Sequence, residues 1–353
     1  MTRVLAAGDH FVLPRLLRDA LEAEMRCRTA SRPARSGVEL TELMLPWPKT
    51  PFGPVAEVLE ASGTEDEMIA ALSGVHACMT HLGPLTERIL AACPDLELFV
   101  VSRGGPVNAN LAAATAAGVA VCYAPGRNAA ATAEHTVALI LAALRDIPSL
   151  HAALVAGKWL GDRYAYDQVG SELDGSTVGL VGYGAVGTRV AKVLVAFGAE
   201  VLVHDPYADT SAMPAGVSAA GLDTLLRRSA VVSVHARVSS ETTGMIGAPE
   251  IALMPPGAVL VNCARGALVD YDAVCDALDA QHLAAAAFDV YPEEPVPPDS
   301  RLLRTRNVVV TPHLAGASRQ VAEKAARIAA AGVGRWLRGE PLVHVANPDV
   351  LAR

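Results

Sequence analysis

Three stretches late in the chain each end an apolar run on a side chain able to do chemistry. Val259-Leu-Val-Asn-Cys-Ala-Arg-Gly266 places Arg265 beside a glycine. Ala287-Phe-Asp-Val-Tyr-Pro-Glu-Glu-Pro295 places Glu294 just before a proline. Val309-Val-Thr-Pro-His313 ends on a histidine. An arginine holds a carboxylate with two parallel hydrogen bonds. A histidine moves a proton near neutral pH. A glutamate touching that histidine raises its pKa and fixes its tautomer. Taken singly, each residue has a plain alternative. Arg265 suits a surface ion pair, Glu294 suits solvent like its neighbour Glu293, and His313 suits the end of a strand. Their order is what joins them, because three parallel neighbouring strands would bring these tips to one cleft.

All three follow a motif of another kind. Residues 179–205 read GLVGYGAVGTRVAKVLVAFGAEVLVHD. An apolar run, Val178 to Val181, meets Gly182-x-Gly184-x-x-Gly187; an amphipathic helical run follows, then a second apolar run that ends in Asp205. Gly182 permits a tight strand-to-helix turn, Gly184 lets backbone approach a pyrophosphate, and Gly187 lets helix and strand pack closely. The helix N-terminus presents free N–H groups and partial positive charge to phosphates. Asp205 would accept from the ribose hydroxyls. The alternative, a purely structural strand–helix–strand turn, does not require the terminal acid. That acid repels a 2′-phosphate, and Pro206, Tyr207, Ala208 and Asp209 offer no basic residue to neutralise one, so NAD is expected rather than NADP.

Composition narrows the class. The 353 residues suffice for two domains, and 52% hydrophobic with 19% charged residues fits a compact chain. A net charge of −8 argues against nucleic acid, whose phosphates need a basic surplus. The six cysteines (Cys27, Cys78, Cys93, Cys122, Cys263, Cys275) form no CxxC pair and lie mostly in apolar runs, as buried free thiols do. No metal site is expected. The start, Thr2 to Gly8, is too short an apolar run for a signal peptide and reads as a strand. The most apolar helix, Ala129 to Leu144, carries Glu134 and His135 and is too polar and short to span a bilayer. A cytoplasmic location and no membrane partner are expected.

These residues need an α/β frame to position them. Val4–Ala7, Val75–Met79, Leu98–Val101 and Val119–Cys122 read as strands; Leu13–Glu24, Pro84–Ala92 and Asn110–Ala117 read as helices between them. Because the glycine motif starts only after residue 178, this first α/β set is a separate domain. One long helical segment, Ala129 to Lys158, joins it to a second set: Val201–Val203, Val231–His235, Val259–Val261, Ala286–Val290 and Val308–Thr311. A final helix, Arg319 to Leu337, has no strand to serve and is expected to return to the first domain. The reading is therefore α/β, with two Rossmann-like or flavodoxin-like parallel sheets. Residues 1–123 plus 316–353 form a discontinuous substrate domain, and 124–315 form an NAD-binding domain. Crossings near Ala124 and Ala315 form a hinge, and the active site is expected in the interdomain cleft.

The chain resembles the D-isomer-specific 2-hydroxyacid dehydrogenases, the family of D-3-phosphoglycerate, glyoxylate/hydroxypyruvate and D-lactate dehydrogenases. GYGAVG, VNCARGALVD, AFDVYPEEP and TPHLAGAS carry the likeness, with NAAATAEH before the long helix. The resemblance covers nearly the whole chain. It implies that Arg265 binds the substrate carboxylate and polarises the carbonyl, that His313 is the acid/base and that Glu294 is its partner. It implies that Ala185 and Val186 offer N–H groups to the pyrophosphate and that Asp289 faces the nicotinamide carboxamide. His235, Cys263 and Ala264 complete the expected cofactor contacts. Substrate contacts are expected at His81, Arg103, Gly104, Gly105, Asn108 and Arg265. A homodimer through the nucleotide domain is implied as well.

Departures from the family shape the substrate expectation. The Asp-Asn-x-Asp run of its substrate loop is here Val107-Asn108-Ala109-Asn110. The Arg-Ser cluster of phosphoglycerate-type members is missing after Cys78-Met79-Thr80-His81, although His81 or Arg103 could compensate. A small, unphosphorylated, hydroxylated 2-keto acid is therefore expected. Leu160 to Ser171, with Tyr164 and Tyr166, is longer than usual and suits the cleft or a dimer interface. No room is expected for an added regulatory domain after the last helix. Two alternatives stand beside the dehydrogenase. A formate dehydrogenase would carry glutamine where Glu294 stands. A non-enzymatic NAD-sensing interaction protein of the corepressor type keeps the same triad, and only turnover separates it.

Overall fold

The computed structural model describes residues 1–26, 37–47 and 53–352. The chain divides into two compact units, Met1–Asn128 with Ser318–Arg353, and Ala129–Ala317. The crossings fall after Asn128 and Ala317, where the sequence reading set them near Ala124 and Ala315.

The first unit alternates strand and helix: β1 (Thr2–Gly8), α1 (Pro14–Arg26), β2 (Val38–Met44), α2 (Glu65–Leu72), β3 (Ala77–Thr80), α3 (Glu87–Ala92), β4 (Leu98–Val101), α4 (Leu111–Ala117) and β5 (Ala120–Tyr123). Among the described residues its five strands are all parallel, in the order β2-β1-β3-β4-β5. Central strands buried on both faces explain the unbroken apolar runs in the sequence, such as Leu98–Val101. β2 and α2 are additions to the sequence reading. The start of α2 did carry a signal: Thr64 caps Glu67 N–H while the Glu67 carboxylate returns to Thr64 N–H. β2 carried little, since Val38-Glu-Leu-Thr-Glu-Leu-Met44 is an edge strand with no fully buried residue.

The second unit runs α5 (Ala129–Leu144), α6 (Ile147–Val155), β6 (Thr177–Val181), α7 (Gly187–Ala196), β7 (Glu200–His204), β8 (Val217–Ala219), α8 (Leu222–Arg228), β9 (Val231–Val234), α9 (Ala248–Leu253), β10 (Ala258–Asn262), α10 (Tyr271–Asp279), β11 (Leu283–Phe288) and β12 (Val308–Val310). Seven parallel strands lie in the order β12-β11-β10-β9-β6-β7-β8. The single helix expected over Ala129–Lys158 is two helices, bent by 65°. Asp146 sits in the left-handed region (φ 48°), and Pro148 lacks the N–H and the space to continue a helix. The α5 helix is largely buried against the sheet, with Ile140 and Ala143 in the core beside Val178 and Val261. No single helix among the described residues is long and apolar enough to cross a membrane.

The last helix, α11 (Arg319–Leu337), belongs to the first unit. Its small buried face, Ala322, Ala325, Ala329 and Val333, packs with Leu17 and Leu21 of α1 and with Met79 and Val100 of the sheet. Small residues along one stripe let the helix lie close to its neighbours, so the alanine-rich sequence is a packing device. The five described cysteines are free and buried; Cys27 lies outside the described residues.

Candidate active site

Strands β10, β11 and β12 are adjacent and parallel, so their carboxyl ends share one edge of the second sheet. Arg265 lies three residues past β10. Asn262 holds that loop, donating from Nδ2 to Arg265 O at 2.8 Å and accepting from Ala264 N–H at 3.0 Å. A glycine is needed next, since a Cβ at Gly266 would lie 2.1 Å from the Tyr291 carbonyl carbon. This close approach brings the Arg265 loop against the loop that carries Glu294.

His313 follows β12 with φ 53°, a strained conformation for a side chain of this size. Its Nδ1 lies 2.6 Å from Glu294 Oε2. The other carboxylate oxygen, Oε1, accepts from Tyr291 N–H at 3.0 Å, which fixes the carboxylate plane. The bond to Glu294 raises the His313 pKa; burial pulls the other way and is outweighed. Burial pushes the Glu294 pKa up, but the bond to His313, its charge and the Tyr291 N–H together hold it below the ordinary carboxylate range. The two shifts agree on one state, an ionised Glu294 steadying a protonatable His313 whose Nε2 remains free of any protein partner among the described hydrogen bonds.

Asp289 does something the sequence did not announce. It is fully buried. Its Oδ1 accepts from Thr311 Oγ1 at 2.6 Å and Leu314 N–H at 2.8 Å; Oδ2 accepts from Ala315 N–H at 2.7 Å. His135 of α5 backs the cluster, its Nε2 lying 2.9 Å from Thr311 Oγ1. The carboxylate thus holds the Thr311 hydroxyl before His313 and the Leu314 and Ala315 N–H groups after it.

The glycine motif forms the turn it was read to form. Gly182 has φ 105°, and a Cβ there would strike the His235 backbone at 2.6 Å; one at Gly187 would lie 2.3 Å from Gly182 O. Above Gly184 there is open space, so backbone is bare where a pyrophosphate would lie. Ala185 and Val186 complete the turn into α7. Asp205, past β7, accepts from Tyr183 N–H at 2.7 Å and from Tyr207 N–H at 2.9 Å, so it also holds the glycine turn. His235 takes its place past β9, where burial pushes its pKa down to about 4. Cys263 is buried, its thiol pushed up to about 12 by that burial, with Ala264 beside it. Bare backbone, a terminal acid and a helix N-terminus together fit a dinucleotide.

In the first unit the expected substrate residues divide. Gly104 and Gly105 face open space. Asn108 is buried and donates to Gly83 O at 2.7 Å, tying two loops together. Arg103 is bound to Glu60 through its carbonyl and its carboxylate. His81 is 4% exposed with both ring nitrogens engaged, so it has none left for a substrate hydroxyl. Its partners, Asp9 and Arg127, were missed. Each follows a strand end (β1 and β5), the one signal that could have found them.

A family model described as D-isomer specific 2-hydroxyacid dehydrogenase, NAD binding domain, matches residues 137–315. The D-3-phosphoglycerate dehydrogenase of Mycobacterium tuberculosis is 37% identical over 313 residues, covering 88% of this chain and 58% of that protein. Its counterpart from Archaeoglobus fulgidus is 38% identical over 260 residues, covering 73% of this chain and 49% of that protein. Among solved structures, the TT0316 protein of Thermus thermophilus matches with a TM-score of 0.77 at 27% identity, over 98% of this chain and 100% of that one. The NAD-complexed D-isomer specific 2-hydroxyacid dehydrogenase of Lactobacillus delbrueckii matches with a TM-score of 0.77 at 21% identity over 98% of this chain and 100% of that one, and speaks to the fold alone. The chain belongs to the D-isomer-specific 2-hydroxyacid dehydrogenase family. Its second unit is the family's NAD-binding domain, and NAD is its cofactor. The chain spans 58% and 49% of the lengths of the two curated relatives.

Proposed function

We propose that the protein is an NAD-dependent oxidoreductase that interconverts a D-2-hydroxy acid and its 2-keto acid. The observation that carries this reading is the His313–Glu294 pair, 2.6 Å apart on the edge where Arg265 also stands. Bound NAD supplies the hydride acceptor for substrate C2, and NADH the donor. Arg265 holds the substrate carboxylate in a planar fork and orients the carbonyl. His313 gives the proton from Nε2 to the carbonyl oxygen in reduction and takes it back in oxidation. Glu294 keeps the imidazole in the tautomer that leaves Nε2 toward the substrate. Asp289 fixes the backbone beside it. Gly182, Gly184, Ala185, Val186, Gly187 and Asp205 would hold the dinucleotide, with His235, Cys263 and Ala264 flanking it. Glu294 has no use in formate oxidation, which passes no hydroxyl proton. The test is NADH oxidation with a panel of 2-keto acids; tight NADH binding with no turnover of any of them would instead support a sensing role.

The pH profile follows from the pair. Glu294→Gln removes the charge that raises the His313 pKa, so that pKa falls. Reduction needs protonated His313 and declines as pH rises through its pKa. In the variant the decline should begin at a lower pH, and the rise of the oxidation limb should move the same way. A pH–rate profile of kcat/KM checks both limbs; identical profiles would show that the glutamate does not govern the histidine.

Cofactor choice rests on Asp205. Asp205→Ala should weaken NAD use by about tenfold and narrow the gap to NADP, since a repelling charge and the tie to Tyr183 N–H are both lost. KM values for both dinucleotides check this, and equal preference in the unaltered protein would refute it at once.

We also propose a homodimer and a cytoplasmic location. Ile147, Leu154, Val155, Trp159, Tyr164 and Tyr166 are all exposed along α6 and the stretch after it, and α6 buries no residue within the chain. Light scattering of the protein with Trp159→Glu would show a shift to monomer. The free buried cysteines suit a reducing compartment.

A further inference from the structure

Two buried tyrosines, Tyr271 and Tyr291, run between the loops that carry Arg265, Glu294 and His313, and the hydride-transfer reading gives their hydroxyls no task. Tyr291 lies three residues past β11. Its backbone N–H donates to Glu294 Oε1 at 3.0 Å. Its phenol donates to the Thr311 carbonyl at 2.8 Å and to the Phe288 carbonyl at 3.2 Å. Phe288 is the last residue of β11 and Thr311 the first after β12, and the two are joined by Thr311 N–H donating to Phe288 O at 2.9 Å. One residue therefore reaches both partners of the proton-transfer pair: the carboxylate through its N–H, and the strand tip before the histidine through its hydroxyl.

The Thr311 carbonyl is where this contact acts. It also accepts from His313 N–H at 3.0 Å, which closes a three-residue turn leading into His313 at φ 53°. Pro312, at the centre of that turn, has no N–H with which to anchor it. A left-handed backbone at a histidine is costly and persists only where its surroundings hold it. Asp289 holds the Thr311 hydroxyl and the Leu314 and Ala315 N–H groups; Tyr291 holds the carbonyl on which the turn closes. Tyr271 is a contrast. Its ring centroid lies 6.4 Å from that of Tyr291, but its hydroxyl donates to Val290 O at 2.5 Å and accepts from Asn262 Nδ2 at 3.4 Å, away from His313. Burial pushes both phenols up, so each stays a protonated donor at neutral pH.

We propose that Tyr291 is a positioning residue for the proton transfer: its hydroxyl, acting through the Thr311 carbonyl, holds the His313 turn where the imidazole meets Glu294. This rests on the dehydrogenase reading, and Tyr291 itself neither gives nor takes the proton. Four influences set the His313 pKa. The bond to Glu294 raises it most, burial lowers it, Asp289 adds to the rise, and Arg265 past β10 lowers it. His135 of α5 faces Asp289 at 3.6 Å. A looser turn weakens the first of these, the bond to Glu294, and leaves the imidazole less well aimed.

Tyr291→Phe keeps the ring and removes one hydroxyl. It should lower kcat for 2-keto-acid reduction by about three- to tenfold, the worth of one buried hydrogen bond, with KM changed by less than about twofold. The midpoint of an imidazole NMR titration of His313 should fall by about 0.5, and the reduction limb of the pH–rate profile should move with it. In a Glu294→Gln background the same substitution should shift the midpoint no further, because the contact it loosens is already lost. Tyr271→Phe, which also removes a buried hydroxyl, should leave the midpoint in place. Amide exchange of His313 should quicken in Tyr291→Phe while that of Leu314, held by Asp289, does not. Thermal melts and NADH binding confirm that each variant folds. A native midpoint and native pH profile in Tyr291→Phe would overturn the proposal. So would an equal shift in Tyr271→Phe, or a full further shift in the Glu294→Gln background, since either would make the hydroxyl an ordinary core bond. The titration and the exchange need no turnover. A displaced His313 midpoint in a protein that reduces no 2-keto acid would support the positioning and sink the dehydrogenase reading. Turnover with an unmoved midpoint would sink the positioning alone.

Discussion

His313→Ala is expected to lower kcat for 2-keto-acid reduction by about a hundred- to ten-thousandfold, the usual worth of a positioned general acid, while NADH still binds. The reasons are local. His313 makes its described side-chain bond to Glu294, through Nδ1, and its other nitrogen is left for substrate. The backbone around it is held from elsewhere, by Asp289 accepting from Leu314 and Ala315 N–H. Removing the imidazole should therefore leave the loop and the glycine turn in place. Stopped-flow reduction together with fluorescence titration of NADH separates the two effects. Retained turnover would remove His313 from the chemistry; lost NADH binding would show that the substitution damaged the fold instead. His313 also bears on stability. Its pKa is raised in the folded state, so its contribution is full at acid pH, below its unfolded pKa, and is lost as pH rises through the folded value. A melting temperature that falls across that window in the native protein, and falls less in His313→Ala, is the expected pattern.

The second large effect belongs to Arg265. Arg265→Lys should reduce kcat/KM by about a hundredfold or more, because an ammonium cannot reproduce the two parallel bonds a guanidinium makes to a carboxylate. The defect should lie mainly in KM if the lysine only weakens binding. It should extend to kcat if the arginine also polarises the carbonyl. The side chain is exposed at the end of β10, with Nη1 donating to Ala264 O at 2.7 Å. Its loop is set by Asn262 and Gly266, not by the guanidinium, so folding should be spared. An unimpaired Arg265→Lys would show that the carboxylate is held elsewhere.

Local pattern was enough for much of this protein. The glycine turn, the strands ending on Arg265, Glu294 and His313, and the helix Arg319–Leu337 were all legible, since each is written in consecutive residues with its own period or turn chemistry. The Thr64–Glu67 capping box was legible too, and passed over. Edge strand β2 was not, because a strand without a buried face leaves no alternation to read. The break at Asp146 needed a single proline to be weighed against a long apolar run.

What lay outside the reach of the sequence is pairing across distance. Arg265, Glu294 and His313 share an edge because β10, β11 and β12 happen to be neighbours in the sheet order, which no single strand encodes. Asp9, His81 and Arg127 come from strand ends far apart in the chain, and hydrogen bonds join them only once the sheet has set β1 beside β3 and left β5 two strands away. The three donors that Asp289 accepts from, Thr311 Oγ1, Leu314 N–H and Ala315 N–H, lie more than twenty residues away and meet it only in the folded sheet. The sequence alone determined which groups were available and the α/β frame. The tertiary structure decided which of them were satisfied and which were left open, because hydrogen-bond partners and desolvation are properties of neighbours in space.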